Sequence, residues 1–386
     1  MSTHLNARMT AKGPKKILAL DGGGIRGMMT VEILAAIEGL LRDRQPPATR
    51  DAFVLADYFD FVAGTSTGAI LAACIAMGMS TSKIREFYLQ SGADMFDKAS
   101  LLKKWKYQYN DGGLANKLKQ ELGADTTLGS DRLRTILMMV MRNASTDSHW
   151  PIWNNPKAKY NRRVREDGSP RSDCNLDIPL WQLVRASTAA PTFFPPEVVT
   201  FAQGTPDEYR FIFVDGGITT YNNPAFQAFI MATTEPYQVN WPTGEDKMLL
   251  VSIGTGTNPN ANKDLGPGEM NRLYHATSVP SALMFAALNE QDLLCRVFGK
   301  CLAGDSLDRE VGDLIGKRGP VSPKLFTYLR YNAELSKNGL AALGLSQIKA
   351  EDVQQLDSTD HIEALQKIGL AVAIHKLSAE HFKGFV

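Results

Sequence analysis

Twice in its first eighty residues this chain runs an apolar strand straight into a glycine-rich turn and then into a helix, and few folds accommodate that unit. Residues 16–20, Lys-Ile-Leu-Ala-Leu, stop at Asp21 and the cluster Gly22-Gly23-Gly24-Ile25-Arg26-Gly27, after which 28–41 show helical spacing of apolar side chains. Residues 59–63, Phe-Asp-Phe-Val-Ala, lead into Gly64-Thr65-Ser66-Thr67-Gly68 and a small-residue apolar run over 69–77. Further strands are expected over 135–141, 210–214, 248–253 and 324–331, and helices over 179–189, 224–233 and 280–297. Strands alternating with helices argue a sheet covered on both faces. The expected fold is α/β, a three-layer sandwich with a mainly parallel central sheet. Polar loops are expected over 154–174, which carries Lys157, Lys159, Arg162, Arg163, Arg165 and Arg171, and over 258–268. The chain after Leu335 reads as small helices packed on the main body.

Composition excludes several classes. Forty-two basic against 41 acidic side chains leave a formal charge of +1, so no DNA or RNA polymer is expected to be bound by bulk charge. With 44% hydrophobic and 22% charged residues, disorder as the main state is excluded. The opening sixteen residues are basic without an apolar core behind them, and the most apolar stretch, 69–79, is far short of the ~20 residues of a membrane span. Cys74, Cys174, Cys295 and Cys301 lack CxxC spacing and suggest free thiols in a reducing compartment. A soluble, cytoplasmic protein is expected.

Three segments carry chemistry. Gly22, Gly24 and Gly27 satisfy GxGxxG between a strand and a helix, the context of a dinucleotide fold, whereas Met28 and Met29 stand where a Walker motif needs Lys and Ser or Thr. Consecutive glycines before a helix let several N–H groups aim at one negative oxygen, of a phosphate or of a reaction intermediate. Gly64 to Gly68 spell GxSxG, which places Ser66 on a sharp turn over a helix N-terminus; the plain alternative is a serine that caps the helix. Phe213-Val214-Asp215-Gly216-Gly217 ends a strand in an acid, which puts Asp215 at the strand's carboxyl end, on the rim where open α/β sheets build sites. By itself such an aspartate is a turn or cap residue.

Together these segments resemble the patatin-like phospholipase family, whose pattern is DGGGxRG, then GxSxG, then DGG or DGA. Residues 186–196, Ala-Ser-Thr-Ala-Ala-Pro-Thr-Phe-Phe-Pro-Pro, and Ser252-Ile253-Gly254-Thr255-Gly256 are similar to it too. The resemblance covers about residues 14–335 and leaves 336–386 as a helical C-terminal extension. It implies a lipid acyl hydrolase of phospholipase A type acting on membrane phospholipid, with Ser66 as nucleophile and Asp215 as base. Gly22, Gly23 and Gly24 would supply the oxyanion hole, Gly64 and Gly68 the elbow, and Gly216 and Gly217 the base turn. No cofactor and no metal are implied. Since a free aspartate, pKa ~3.9, matches a serine hydroxyl poorly, most of the rate must come from amide donors. Arg26, the family's basic position before Gly27, is expected to anchor the loop rather than to face lipid phosphate.

In style the chain is also similar to bacterial members that serve anti-phage defence. That implies a cyclic di- or trinucleotide activator and peripheral contact with the inner membrane when active; homo-oligomers are a separate expectation that the sequence itself does not fix. Residues 98–109, KASLLKKWKYQY, suit an anionic headgroup interface or an ordinary amphipathic helix packed on the core, and the basic loop 157–171 suits the membrane, a phosphate-bearing regulator or plain solubility, the commonest role of such loops. Rival readings remain open. An α/β-hydrolase order is satisfied by Ser66, Asp215 and His275, although His275 falls in or beside an expected helix. A Rossmann oxidoreductase would need Asp43 or Asp51 to hold a ribose, and neither follows a clear strand. A non-catalytic lipid-binding protein on the same fold would not need Ser66 and Asp215 intact.

Overall fold

Side chains along a strand point alternately to opposite faces, and the central strands of this protein are apolar at both parities, so neither face of their sheet can meet water. The computed structural model describes residues 3–96, 112–191, 193–258 and 272–386. Among the described residues the strands are β1 Lys15–Leu20, β2 Phe61–Thr65, β3 Ile136–Asn143, β4 Ser148–Trp153, β5 Glu197–Phe201, β6 Tyr209–Asp215, β7 Met248–Ile253, β8 Lys300–Ala303 and β9 Thr327–Tyr331. They form one sheet in the order β5-β6-β3-β2-β1-β7-β9-β8, with β4 paired to β3. Leu18, Leu20, Val62, Leu249 and Val251 enter one buried cluster, which also holds side chains of helices Gly27–Arg42, Thr67–Ala76 and Ile362–Lys376. Ile17, Ala19, Phe61, Ala63, Met248 and Leu250 enter the other, against helix Ala225–Thr233. The result is the expected three-layer α/β architecture.

The sheet is mixed at one side. β8, β9, β7, β1, β2 and β3 run parallel. β4 and β6 lie antiparallel to β3, and β5 antiparallel to β6. Sequence periodicity misses β4, β5 and β8. β4 contains Pro151, which reads as a strand breaker, but among the described strands β4 pairs only with β3, and an edge tolerates a residue that cannot donate. The helix expected from Pro280 already starts at Arg272 and runs to Phe298.

Residues after Leu335 form the expected helical extension: Lys337–Ala342, Ala350–Gln354 and Ile362–Lys376. Leu365, Ile368 and Val372 are buried in the same cluster as Met29 and Ile33. Gly369 lies so close to the Met29 carbonyl that a Cβ there would stand 2.6 Å from its oxygen, which lets the last long helix seat directly on helix Gly27–Arg42. All four cysteines are free and buried. No helix among the described residues is long and apolar enough to cross a membrane.

The register fixes the site. Leu20 stands opposite both Gly64 of β2 and Ile253 of β7, so the three strands end flush. Whatever follows each of them is brought together: Asp21 to Gly24, Ser66, and Gly254 to Gly256.

Candidate active site

Ser66 links β2 to helix Thr67–Ala76 with φ 55° and ψ −124°. A non-glycine residue held there costs on the order of 1–3 kcal/mol and persists only where its surroundings impose it. They do. The Ser66 N–H donates to Ser187 Oγ at 3.0 Å, and Ser187 Oγ donates in turn to the Val140 carbonyl at 2.6 Å. A Cβ on Gly64 would collide with the Gly68 carbonyl, and one on Gly68 with the Leu20 carbonyl. Glycine is required at both positions by close packing of three backbones.

Asp215 reaches Ser66 by a route the sequence reading did not foresee. The expectation put Asp215 on the same rim as Ser66 in a mainly parallel sheet, without fixing the direction of its strand; β6 is antiparallel. β3 pairs with β2 as far as Val140 and with β6 from Met141 onward, while β4 occupies the opposite edge. β2 and β6 therefore share one edge of β3 and meet carboxyl end to carboxyl end. Ser66 Oγ donates to Asp215 Oδ2 at 2.6 Å, and the Gly217 N–H donates to Oδ1 at 2.6 Å. Gly216 packs against the Val140 carbonyl, where a side chain has no room. Asp215 is 4% exposed. Burial lifts its carboxyl from the ordinary 3.8 to about 6, against the lowering effect of the Ser66 and Gly217 hydrogen bonds. That brings the carboxylate closer to the basicity that proton abstraction near neutral pH requires.

The glycine loop lies beside this pair. Gly22 corrects one expectation, because its N–H already donates to the Asn222 carbonyl at 3.1 Å and is not open to a substrate oxygen. Gly22 supplies closeness instead: a Cβ would strike Asn222 Oδ1 and stand 3.1 Å from Ser66 Cβ. The N–H groups of Gly23 and Gly24 have no acceptor among the described residues. The loop is held by Thr255 Oγ1 donating to the Gly22 carbonyl at 2.7 Å and by the Ile25 N–H donating to the Leu356 carbonyl at 3.0 Å. Arg26 Nη1 donates to the Gln354 carbonyl at 3.3 Å. Burial lowers the Arg26 pKa to about 10 against the opposing charge of Asp21, a setting that fits an anchor rather than a solvent-facing cation. Gly27 packs on Thr67, so two helices begin at the site and turn their positive ends toward it.

Ser187, Asn222, Leu356 and Gln354 were not singled out from sequence. Ser187 lies in the 186–196 segment noted above, while the others act mainly through backbone carbonyls, which leave no mark in a sequence. His275 lies in helix Arg272–Phe298. Asp43 caps the end of helix Gly27–Arg42, and the second strand ends at Thr65 without a ribose-binding acid. Half of the basic side chains of the loop are paired with nearby acids: Arg163 with Asp177, and Arg165 and Arg171 with Asp173. Residues 98–109 lie outside the described residues. Among the described residues no group of three or more His, Cys, Asp or Glu side chains is placed to hold a metal.

Several known proteins are similar to this chain in sequence. Patatin-17 of Solanum cardiophyllum is 32% identical over 259 residues, 64% of this chain and 62% of the relative. Patatin-T5 of Solanum tuberosum is 29% identical over 321 residues, 76% of this chain and 78% of the relative. Patatin-like protein 1 of Arabidopsis thaliana is 28% identical over 327 residues, 75% of each. The chain thus spans about 62% of the length of Patatin-17. Residues 18–229, which contain Ser66, Asp215 and the whole glycine loop, match the family described as patatin-like phospholipase, and this chain belongs to that family.

Proposed function

We propose that the chain is a serine lipid acyl hydrolase of phospholipase A type working through a Ser66–Asp215 dyad. The observation that carries the reading is the direct 2.6 Å hydrogen bond from Ser66 Oγ to Asp215 Oδ2. A triad would set an imidazole between hydroxyl and carboxylate, and at that separation none fits, which disfavours the His275 alternative. Ser66 Oγ attacks the ester carbonyl carbon while its proton passes to Asp215. The oxyanion is received by the N–H groups of Gly23 and Gly24, each such donor being worth ~10²- to 10³-fold in rate. Collapse expels the lysolipid alcohol, which takes the proton back from Asp215. A water that gives its proton to Asp215 then attacks the acyl-enzyme and releases the fatty acid, restoring Ser66.

Membrane phospholipid as substrate and contact with a membrane surface belong to this proposal, as does assembly into homo-oligomers. Control by a cyclic di- or trinucleotide rests on the resemblance alone, since three of the four arginines expected to receive it already pair with Asp173 or Asp177. Incubation of phospholipid vesicles with wild type and Ser66→Ala, followed by mass spectrometry of the lipids, tests the reaction. Fatty acid and lysolipid should appear with wild type alone. Equal release by the variant refutes the dyad, and equal rates with and without a panel of cyclic nucleotides dismiss the activator.

A further inference from the structure

β9 reads Thr-Tyr-Leu-Arg-Tyr, and every one of its residues is buried. An arginine in the middle of such a strand has no route to water and must find its partners inside. Arg330 is 2% exposed and meets Asp21, itself fully buried, through a two-point fork: Nη1 to Oδ1 at 2.9 Å and Nη2 to Oδ2 at 2.6 Å. Arg330 Nη1 also donates to Ser252 Oγ at 2.7 Å, and Ser252 Oγ donates to Asn223 Oδ1 at 3.2 Å. One side chain thus ties the foot of the glycine loop to β7 and to the segment whose Asn222 carbonyl receives the Gly22 N–H. Burial works against the Arg330 charge, but the field of Asp21 and the hydrogen bonds to it outweigh that and hold the guanidinium's pKa above the usual arginine value.

A buried ion pair is a poor source of net stability, because desolvation offsets most of the attraction, and apolar residues of similar volume serve stability as well. What the fork supplies is orientation in two directions at once, which a lysine's single ammonium cannot. Orientation is what a run of three glycines lacks by itself: without side chains, the loop depends on its neighbours to fix the direction of its N–H groups. Asp21 is the side chain adjoining the run at its strand end. We propose that Arg330 is a positioning residue for the oxyanion hole, aiming the Gly23 and Gly24 N–H groups at the reacting carbonyl by clamping Asp21 and, through Ser252, the Asn222–Asn223 turn. The inference rests on the dyad reading. Arg330 lies beyond residues 18–229, so the family match does not bear on it.

The test uses the full chain, Arg330→Lys, a chromogenic acyl ester, and a fluorophosphonate that labels the nucleophile and counts active sites. Misaligned donors should lower kcat per titrated site by ~10- to 100-fold with KM nearly unchanged, and slow fluorophosphonate labelling by the same factor. The acid limb of the pH–rate profile, which reports Asp215, should stay where it is in wild type. A merely structural role gives a different result, fewer titratable sites each turning over at the wild-type rate, and that outcome overturns the proposal. Should Arg330→Lys fail to fold, Ser252→Ala removes one bond of the clamp and keeps the ion pair; a per-site kcat lowered roughly 3- to 10-fold supports the proposal and an unchanged one refutes it. Wild type that is not labelled at Ser66 defeats the dyad reading itself, a result separable from failure of the Arg330 assignment.

Discussion

Asp215→Asn should abolish turnover and at the same time make the protein more stable. The carboxyl sits at 4% exposure, and its pKa rises from 3.8 to about 6 because burial disfavours the charge more than the Ser66 and Gly217 hydrogen bonds favour it. At about 1.4 kcal/mol per pH unit, that difference means that ionised Asp215 costs the folded state about 3 kcal/mol at neutral pH. Asparagine carries no charge and retains an oxygen for the Gly217 N–H, but it obliges Ser66 to turn its hydroxyl around, so a gain of about 1–3 kcal/mol is the reasonable range. For a chain of this length the unfolding entropy is roughly 0.8 kcal/mol/K, which converts the gain to a Tm higher by about 1–4 °C. The sign depends on pH. Since folding raises the pKa, the folded wild type binds the proton more tightly than the unfolded chain. Its stability contribution is whole below about pH 4 and is lost as pH rises through about 6. Differential scanning calorimetry of wild type and Asp215→Asn from pH 4 to 8 should therefore show curves that converge at the acid end, draw apart as pH rises to about 6 and keep a constant gap above it, the variant melting higher. A variant that melts lower than wild type by the same margin at every pH refutes the claim that Asp215 is held against an electrostatic penalty.

Two further outcomes follow from the same geometry. Because the base must be ionised in the free enzyme, kcat/KM for a neutral ester should fall about tenfold per pH unit below about 6 and be flat above it; the limb should persist in His275→Ala, and its disappearance there would reinstate the histidine. Gly68→Ala sets a Cβ against the Leu20 carbonyl, so the elbow must open; fluorophosphonate labelling of Ser66 should drop by ~10²-fold or more, and labelling at the wild-type rate would show that this close approach is dispensable.

The sequence made the participants legible and left their approach obscure, and the reason lies in the range of each signal. GxSxG is local: strand, turn and helix are contiguous, so Ser66 is recognisable from five residues. The parallel core is nearly as legible, since β1, β2 and β7 are short apolar runs bounded by glycine. The direction of β6 is not, because Tyr209–Asp215 has the same composition whether it runs up or down, and only its pairing with Met141 to Asn143 of β3 decides. Nor is the fate of the Gly22 N–H, whose acceptor is a carbonyl 200 positions away. Arg330 did carry a signal, a charge inside an otherwise buried five-residue strand, and reading β9 for what disrupts its pattern rather than what continues it would have found it.

What unites the residues of the site is that each carries a local cost that its surroundings must impose. Ser66 holds a positive φ without being glycine, Asp215 keeps a buried carboxylate without a cation bonded to it, and Asp21 and Arg330 spend a full ion pair in the core. None of these would survive in a marginal scaffold, and the helical extension explains how they survive here. Its Leu365, Ile368, Val372 and Phe382 join the main core, and its Leu356 and Gln354 carbonyls hold Ile25 and Arg26 from outside the catalytic segment. Apolar burial of four such side chains supplies on the order of 6–12 kcal/mol before entropy is counted, enough to offset a strained elbow and a desolvated base. The extension is thus better regarded as part of the candidate site's support than as an appendage, since the loop it braces is the one whose N–H groups the proposed mechanism needs to stay in place.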